Sequence, residues 1–349
     1  MKTVLAIIGA LTLISLKERA GPVPLPPGTE IKPALRVGRK FVNENPNALP
    51  TFFGMLKWAI NRHPGRWPRY HDFNPAPPPP RGVGAGGLRV TFINHSTVLI
   101  QMEGFNILTD PIYSRRVGPV SWAGVRRVRP PGIRFEDLPP IQVVLLSHNH
   151  YDHMDLPTLV RLEKRDHPLI LAGIGNSRYL TKEGIRRIRE LDWGQGIDLS
   201  DSVRATFVPA QHFSMRHLYD RDTALWGGFV LEGPKARVYF AGDTGWGPHL
   251  EELRSRFGDF TLALLPIGAF KPEWFMGPAH FSPGDAVRAH RLLKARISVP
   301  IHYGTFRLAD DGYEEPVEKL REAMAEAGIS AREFWILDFG EGRDVTLPE

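Results

Sequence analysis

The apolar run Val143-Val144-Leu145-Leu146 breaks off at Ser147-His148-Asn149-His150-Tyr151-Asp152-His153, and this junction constrains the chain more than any other part of it. Four consecutive aliphatic side chains read as a strand buried on both faces. Directly after them stand His148, His150, Asp152 and His153, which have no place on an apolar face. Neutral imidazole and carboxylate are donors suited to zinc and related divalent cations. One tight loop cannot turn all four groups onto a single ion with good geometry. Two neighbouring ions, sharing ligands from elsewhere in the chain, resolve the problem.

Three further candidates each follow a β-rich run. His212 comes after Val208-Pro209-Ala210, Asp243 after Val238-Tyr239-Phe240-Ala241-Gly242, and His302 after Val299-Pro300-Ile301. Singly, each is an ordinary core or surface residue. With the loop, they place five histidines and two aspartates at the same relative position on successive strands, which is how sheets build a site at one edge. Gly242 permits a close backbone approach beside Asp243.

The rest of the pattern from residue 87 onward predicts strands at 88–93, 98–102, 105–108, 169–172, 203–208, 226–231, 238–241, 262–266, 297–301 and 334–337. Helices are expected between them at 156–164, 182–190, 248–257, 283–294 and 315–327. Ser282-Pro283-Gly284-Asp285 is a helix start, with a capping serine, a proline in the first turn and an acid at the third position. Strands in bulk with intervening helices predict an α/β fold of two sheets packed together with helices outside.

Composition narrows the chemistry. The 349 residues are 42% hydrophobic and 23% charged, the balance of a globular protein. With no cysteine, disulfides, thiolate ligands and a cysteine nucleophile are all excluded, so any metal is held by His, Asp or Glu. The net charge is +6, with arginines clustered at Arg115, Arg116, Arg126, Arg127, Arg129 and Arg134. That cluster reads either as a solvated basic face or as attraction to anionic substrates and phospholipid headgroups. Long like-charge runs and interleaved stacking aromatics are absent, so nucleic acid is not an expected partner.

Three segments are expected. Residues 1–20 carry Lys2 before an apolar run at 4–16, suited to a signal segment or a shallow membrane anchor. This gives an expected localisation as membrane-associated or exported to the cell envelope. Residues 21–85 form a Pro-rich arm with one short helix near 52–61, ending in Pro77-Pro78-Pro79-Pro80. Residues 86–349 form the catalytic domain.

The motif order HxHxDH, then a lone His, a Gly-Asp-Thr and a lone His resembles the metal-ligand order of the metallo-β-lactamase superfamily. The flanking strings are similar to those of one branch, the N-acylphosphatidylethanolamine-hydrolysing phospholipase D family and its bacterial relatives. They include Leu108-Thr109-Asp110-Pro111-Ile112-Tyr113-Ser114, Phe240-Ala241-Gly242-Asp243-Thr244-Gly245, Trp274-Phe275-Met276 and Ile301-His302-Tyr303-Gly304-Thr305-Phe306. The resemblance spans roughly residues 85 to 345. It implies an αββα sandwich of two mixed sheets packed face to face, with helices outside.

By this resemblance, His148, His150 and His212 hold one metal, Asp152, His153 and His302 hold a second, and Asp243 bridges them. The implied cofactor is two Zn2+ ions, with Mn2+ or Fe as alternatives. The implied reaction is attack of a metal-bridging hydroxide on a phosphodiester, such as that of N-acylphosphatidylethanolamine, with membrane surface contact. Asp152 is also a candidate for orienting the nucleophile, and His280 for contacting the substrate or aiding the leaving group. Asp110, also at a strand end, reads as a carboxylate that orients a metal-bound histidine. His95 reads as a packed turn residue, and His63, His71, His167, His217, His249 and His290 as surface or structural.

Two other readings use the same motif. A lactonase or other ester hydrolase would apply the same water to a carbonyl. A diiron redox protein is disfavoured, because those relatives replace the second histidine of HxHxDH by Glu and add a flavin domain, whereas His150 is present here. For the lipid reading, the arginine cluster and the aromatics Trp122, Trp274 and Phe275 are expected to flank the cleft.

Overall fold

Val143–Leu146 forms a strand whose alternate side chains enter two different apolar layers. Val143 and Leu145 join one buried cluster and Val144 and Leu146 the other, as a period of two demands. A computed structural model describes residues 31–45, 52–120 and 122–347. The strand sits inside a seven-stranded sheet ordered Ile188–Leu191, Leu169–Gly173, Val143–Leu146, Phe105–Thr109, Thr97–Met102, Leu88–Asn94 and Gly342–Asp344. Its early strands form an antiparallel meander, and from Phe105–Thr109 onward the pairing is parallel.

A six-stranded sheet repeats that plan. Gly196–Asp198, Arg204–Val208, Gly228–Glu232 and Arg237–Phe240 pair antiparallel, and Leu262–Pro266 and Ile297–Ile301 then add in parallel. The larger cluster fills the space between the sheets: Phe92, Ile100 and Leu145 from one side share it with Phe207, Phe229 and Leu264 from the other. Helix Leu156–Asp166 packs on the outer face of the first sheet through Leu159 and Leu162. Helices His249–Phe257, Pro283–Leu292 and Glu315–Ala327 contribute to the layer on the second. This is the αββα sandwich expected. The helix start at Ser282 is a capping box, with Ser282 and Asp285 each accepting from the other's backbone nitrogen.

Two expected elements fold differently. Residues 182–190 do not form a helix. A short helix, Ser177–Leu180, runs into one 3-10 turn that ends at Gly184, where φ is +80°. Ile188–Leu191 then pairs in parallel with Leu169–Gly173 as an edge strand, so ladder bonding overrides helix propensity. Residues 334–337 form only an isolated bridge, Phe334 to Ser298.

Within the arm, Leu35–Val37 and Lys40–Val42 make a small hairpin, and Phe52–Ile60 is the expected helix. Trp58 Nε1 and Arg62 Nε donate to the Asp310 carboxylate, and Ala76 N donates to Gly132 O, so the arm lies along the sandwich. The expected localisation at a membrane or in the cell envelope is corrected. Among the described residues no helix is long and apolar enough to cross a membrane, and the run at 4–16 on which it rested lies outside them.

Candidate metal centre

The seven metal-ligand candidates and Asp110 all follow the carboxyl ends of strands, and the sandwich brings those ends to one edge. The 147–153 loop follows Val143–Leu146, and Asp110 follows the neighbouring Phe105–Thr109. From the second sheet come His212 after Arg204–Val208, Asp243 after Arg237–Phe240 and His302 after Ile297–Ile301. The close approach is steric in origin. Gly242 has φ +60°, and a Cβ there would lie 2.5 Å from Ser147 Cβ. A Cβ at Gly268 would lie 1.9 Å from the carbonyl oxygen of His302.

The side chains converge in two overlapping groups. In the first, His150 Nδ1 is 2.8 Å from His148 Nε2 and 3.3 Å from His212 Nε2. In the second, Asp152 Oδ2 is 3.3 Å from His153 Nε2 and 3.4 Å from His302 Nε2. Asp243 Oδ2 stands between them, 3.2 Å from His153 Nε2, 3.0 Å from His302 Nε2 and 4.0 Å from His212 Nε2. His280 belongs to the same cluster, with Nδ1 3.7 Å from Asp243 Oδ2.

Outer partners fix which ring nitrogen faces inward. His212 Nδ1 donates to Ala279 O at 2.9 Å. His153 Nδ1 lies 2.7 Å from Asp110 Oδ2. Ser147 Oγ donates to the same Asp110 oxygen and accepts from His148 Nδ1 at 2.9 Å, while Ser147 N donates to Asp110 Oδ1 at 2.8 Å. Fully buried Asp110 therefore orients two of the imidazoles, in the manner of carboxylates behind metal-binding histidines.

The electrostatics of the polypeptide point to cations. Burial and neighbouring imidazoles hold His148 and His212 well below the ordinary histidine range, and burial brings His150 and His280 down to about 4. Burial also opposes charge on Asp152 and Asp243, yet the surrounding histidines outweigh it and hold both carboxyls well below their usual range. His153 and His302 go the other way: burial lowers them, but the aspartates prevail and His302 rises to about 9. Neutral His148, His150 and His212 beside two ionised carboxylates are donors for divalent metal, and a bound cation would take the place of the protons that the aspartates favour on His153 and His302. Buried His153 Nε2, His302 Nε2 and Asp243 Oδ1 lack hydrogen-bond partners, as ligand atoms directed at a metal do.

Residues beyond the motif also take part. His95 is not merely a packed turn residue: its Nε2 is 3.0 Å from Asp152 Oδ2, and its carbonyl accepts from His302 N at 2.8 Å. His95, Asp110 and His302 all have positive φ, at 49°, 31° and 65°, the kind of backbone strain that gathers at functional sites. Asn43, from the arm, clamps the His212 backbone in both directions, accepting from its nitrogen at 3.1 Å and donating to its oxygen at 2.7 Å. The only sequence signal for His95 was its place after a strand, and Asn43 gave none. Of the histidines read as structural, His249 and His290 are buried, against Thr244 and Ser298.

The expected basic rim is only partly present. Arg127 and Arg129 are buried, with Arg127 donating to Ser114 O and Ile112 O and Arg129 lying 3.4 Å from the centre of the Phe339 ring. Trp122 and Trp274 are exposed, whereas Phe275 stacks on Trp58 at 4.9 Å.

Residues 105–303 match the family model described as the beta-lactamase superfamily domain. The chain belongs to the metallo-β-lactamase superfamily. Within it, the chain falls in the branch of N-acyl-phosphatidylethanolamine-hydrolysing phospholipase D. It is 36% identical over 268 residues to phospholipase D 1 of that name from Caenorhabditis elegans, covering 73% of this chain and 75% of that protein. An uncharacterized protein of Mycobacterium tuberculosis is 37% identical over 311 residues, covering 84% of this chain and 80% of its own. The fold is shared with a metallo hydrolase from the archaeon Ignicoccus hospitalis at a TM-score of 0.57 and 21% identity, over 74% of this chain and 98% of that one. This superfamily member is a metal-dependent hydrolase.

Proposed function

We propose that the chain is a binuclear zinc phosphodiesterase that cleaves a phospholipid of the N-acylphosphatidylethanolamine type on the alcohol side of its phosphate. The observation that carries this reading is an apolar cavity of about 680 Å3 that includes His150 and Asp152 in its lining. Its walls are aliphatic and aromatic, among them Val117, Phe213, Met215, Leu218, Tyr219 and Leu308. A cleft that is wet and cationic throughout would suit a small polar ester. An apolar cavity opening on the metal-ligand loop suits an acyl chain attached to the scissile group.

In this reading His148, His150 and His212 hold one ion, Asp152, His153 and His302 the other, and Asp243 lies between them. Two zinc ions held there would supply Lewis acidity toward the phosphoryl oxygens and ionise a water near neutral pH. Asp152, held by His95, orients the attacking oxygen. His280, whose buried Nδ1 lies 3.7 Å from Asp243 Oδ2 without a hydrogen-bond partner, would contact the substrate or assist the departing alkoxide. Substrate contact with a membrane surface belongs to the same proposal: Trp122, Leu218 and Tyr219 are 79%, 97% and 84% exposed, and the last two line the cavity.

The test is a substrate panel on zinc-loaded protein, comparing N-acylphosphatidylethanolamine vesicles, a soluble aryl phosphodiester and a lactone. Release of N-acylethanolamine and phosphatidate, with the lactone turned over at least about a hundredfold less efficiently, supports the proposal. Preferential lactone hydrolysis would overturn it in favour of a carbonyl-directed hydrolase.

A further inference from the structure

Beside the apolar cavity lies a second concavity of about 630 Å3 with the opposite chemistry. Arg36, Arg39, Arg178 and Lys182 line it, against one carboxylate, Asp220. That carboxylate is already engaged. Tyr179 Oη donates to its Oδ2 at 2.6 Å, and the backbone nitrogens of Arg216 and His217 donate to its Oδ1 at 2.9 and 2.7 Å. Its hydrogen-bonding positions are taken, and its single negative charge leaves a surplus of three positive charges in the lining.

The cations come from segments far apart in sequence. Arg36 and Arg39 lie on the hairpin Leu35–Val37/Lys40–Val42, whose turn is made at Gly38, φ +61°. Arg178 and Lys182 come from the short helix and the turn that follows it. Two are held in position: Arg178 Nη2 donates to Tyr179 Oη and Thr223 Oγ1, and the Arg36 guanidinium sits 4.1 Å from the centre of the Phe41 ring. Arg39 and Lys182 have no hydrogen-bond or ion-pair partner among the described residues. All four are exposed, so water screens their mutual repulsion, and together they give the hollow a positive potential that attracts an anion. Guanidinium forks combined with a lysine point charge match a phosphate.

His217 and Tyr219 stack at 5.4 Å with an interplanar angle of 11°, and both residues line this concavity and the apolar cavity alike. A ligand held here therefore lies one aromatic pair away from the cavity that reaches His150 and Asp152. We propose that the concavity is a binding site for a phosphate-bearing anion, separate from the metal centre. The phosphate belongs either to a lipid headgroup or to a free phosphate ester. The inference does not depend on the hydrolytic reading, because binding is measured without turnover.

The experiment titrates inorganic phosphate calorimetrically into the full, metal-loaded chain at low ionic strength. Phosphate also suits the metal centre, so the deciding quantity is the class of binding that changes in Arg39→Ala/Lys182→Ala. One class is expected to weaken by at least about tenfold in that variant. Lys164→Ala/Arg332→Ala, which removes the same charge elsewhere, is expected to stay within about twofold of the parent. Partition onto phosphatidylcholine vesicles with and without phosphatidic acid then identifies the source. A lost preference for phosphatidic acid in the first variant assigns the site to a lipid headgroup, and an unchanged preference beside lost phosphate binding assigns it to a free ester. Phosphate titrations identical in parent and variant, or equal weakening in the control, overturn the proposal whatever the vesicles do.

Discussion

His95 Nε2 lies 3.0 Å from Asp152 Oδ2, and the same residue's carbonyl accepts from the backbone nitrogen of His302 at 2.8 Å. One buried residue thus steadies two of the groups proposed for a second metal, Asp152 through its ring and His302 through its backbone carbonyl. Its ring is also 4.2 Å from the ring of His302, so the three residues form one packed unit. His95→Ala is expected to lower kcat or metal affinity by about 10- to 100-fold, the usual cost of losing a partner behind a ligand. His95→Gln keeps an amide donor for Asp152 and should recover part of the loss. Steady-state kinetics with parallel metal titration checks this; an Ala variant at parental activity would remove the role.

Asp243 is the carboxylate nearest both groups, within 4.0 Å of His212 and 3.0 Å of His302. Asn at this position keeps the shape and loses the charge. In the proposed binuclear site both ions share this anionic ligand, so Asp243→Asn is expected to cut bound metal from about two ions per chain to one or fewer. Metal analysis of dialysed protein measures it, and an undiminished stoichiometry would refute the bridging assignment.

Asp110 accepts from Ser147 N at Oδ1 and from Ser147 Oγ at Oδ2, where it also meets His153 Nδ1, all without solvent. Asp110→Ala strands several buried donors at once. A loss of about 2–4 kcal/mol in unfolding free energy is expected, since each unsatisfied buried group costs about 1–3 kcal/mol. Chemical denaturation of metal-stripped parent and variant gives the number free of metal linkage.

How much of this was readable in advance depends on where each signal lives. The seven ligand candidates were legible because His and Asp next to a buried strand break the apolar period, as at Leu146-Ser147-His148. The sandwich followed from strand count and helix spacing. His95 was misjudged because a single histidine after a strand has no local partner: Asp152 reaches it only once the sheets close. Asn43 acts across 169 positions on the backbone of His212, which no local pattern encodes. The arginine cluster misled for a converse reason, since Arg127 satisfies two buried carbonyls and is structural rather than a surface charge. Residues 182–190 misled because Gly184 and strand pairing outweigh local helix preference.

His249 supplies a pH signature from outside the ligand set, on Thr244 next to Asp243. Burial holds its imidazole down to about 3, and its Nε2 lies 3.2 Å from Thr244 Oγ1. In the unfolded chain the same group titrates at about 6.5. Between those values the unfolded state binds a proton that the folded state refuses, so stability falls as pH drops from about 6.5 toward 3. His249→Gln keeps a polar contact and removes the proton. The difference in unfolding free energy between parent and variant is expected to change by up to about 1.4 kcal/mol per pH unit below 6.5, and to be flat above it. Denaturation midpoints between about pH 5 and 8 decide it, and a difference independent of pH would mean the folded site accepts the proton.

Arg216 braces the ligand loop from behind. Its Nη1 donates to Asn149 O at 3.1 Å and to Met154 O at 2.9 Å, and its guanidinium lies 4.4 Å from the centre of the Tyr151 ring, whose hydroxyl donates back to Arg216 O. Those two carbonyls flank His150, Asp152 and His153, so a single planar group fixes the width of the loop that carries them. Lysine keeps the charge but has no flat fork to stack on Tyr151 while spanning both oxygens. Arg216→Lys is therefore expected to retain the fold, with unfolding free energy reduced by about 1–2 kcal/mol, and to lose activity by about tenfold or more, because a loop placed slightly wrong misplaces three groups together. Added zinc should restore part of that activity, since metal binding energy can draw a loosened loop back into register. If Arg216→Lys matched the parent in both zinc affinity and turnover, the loop would be holding its shape without the brace, and the ligand set would have to be rigid through the strand end and Asp110 alone.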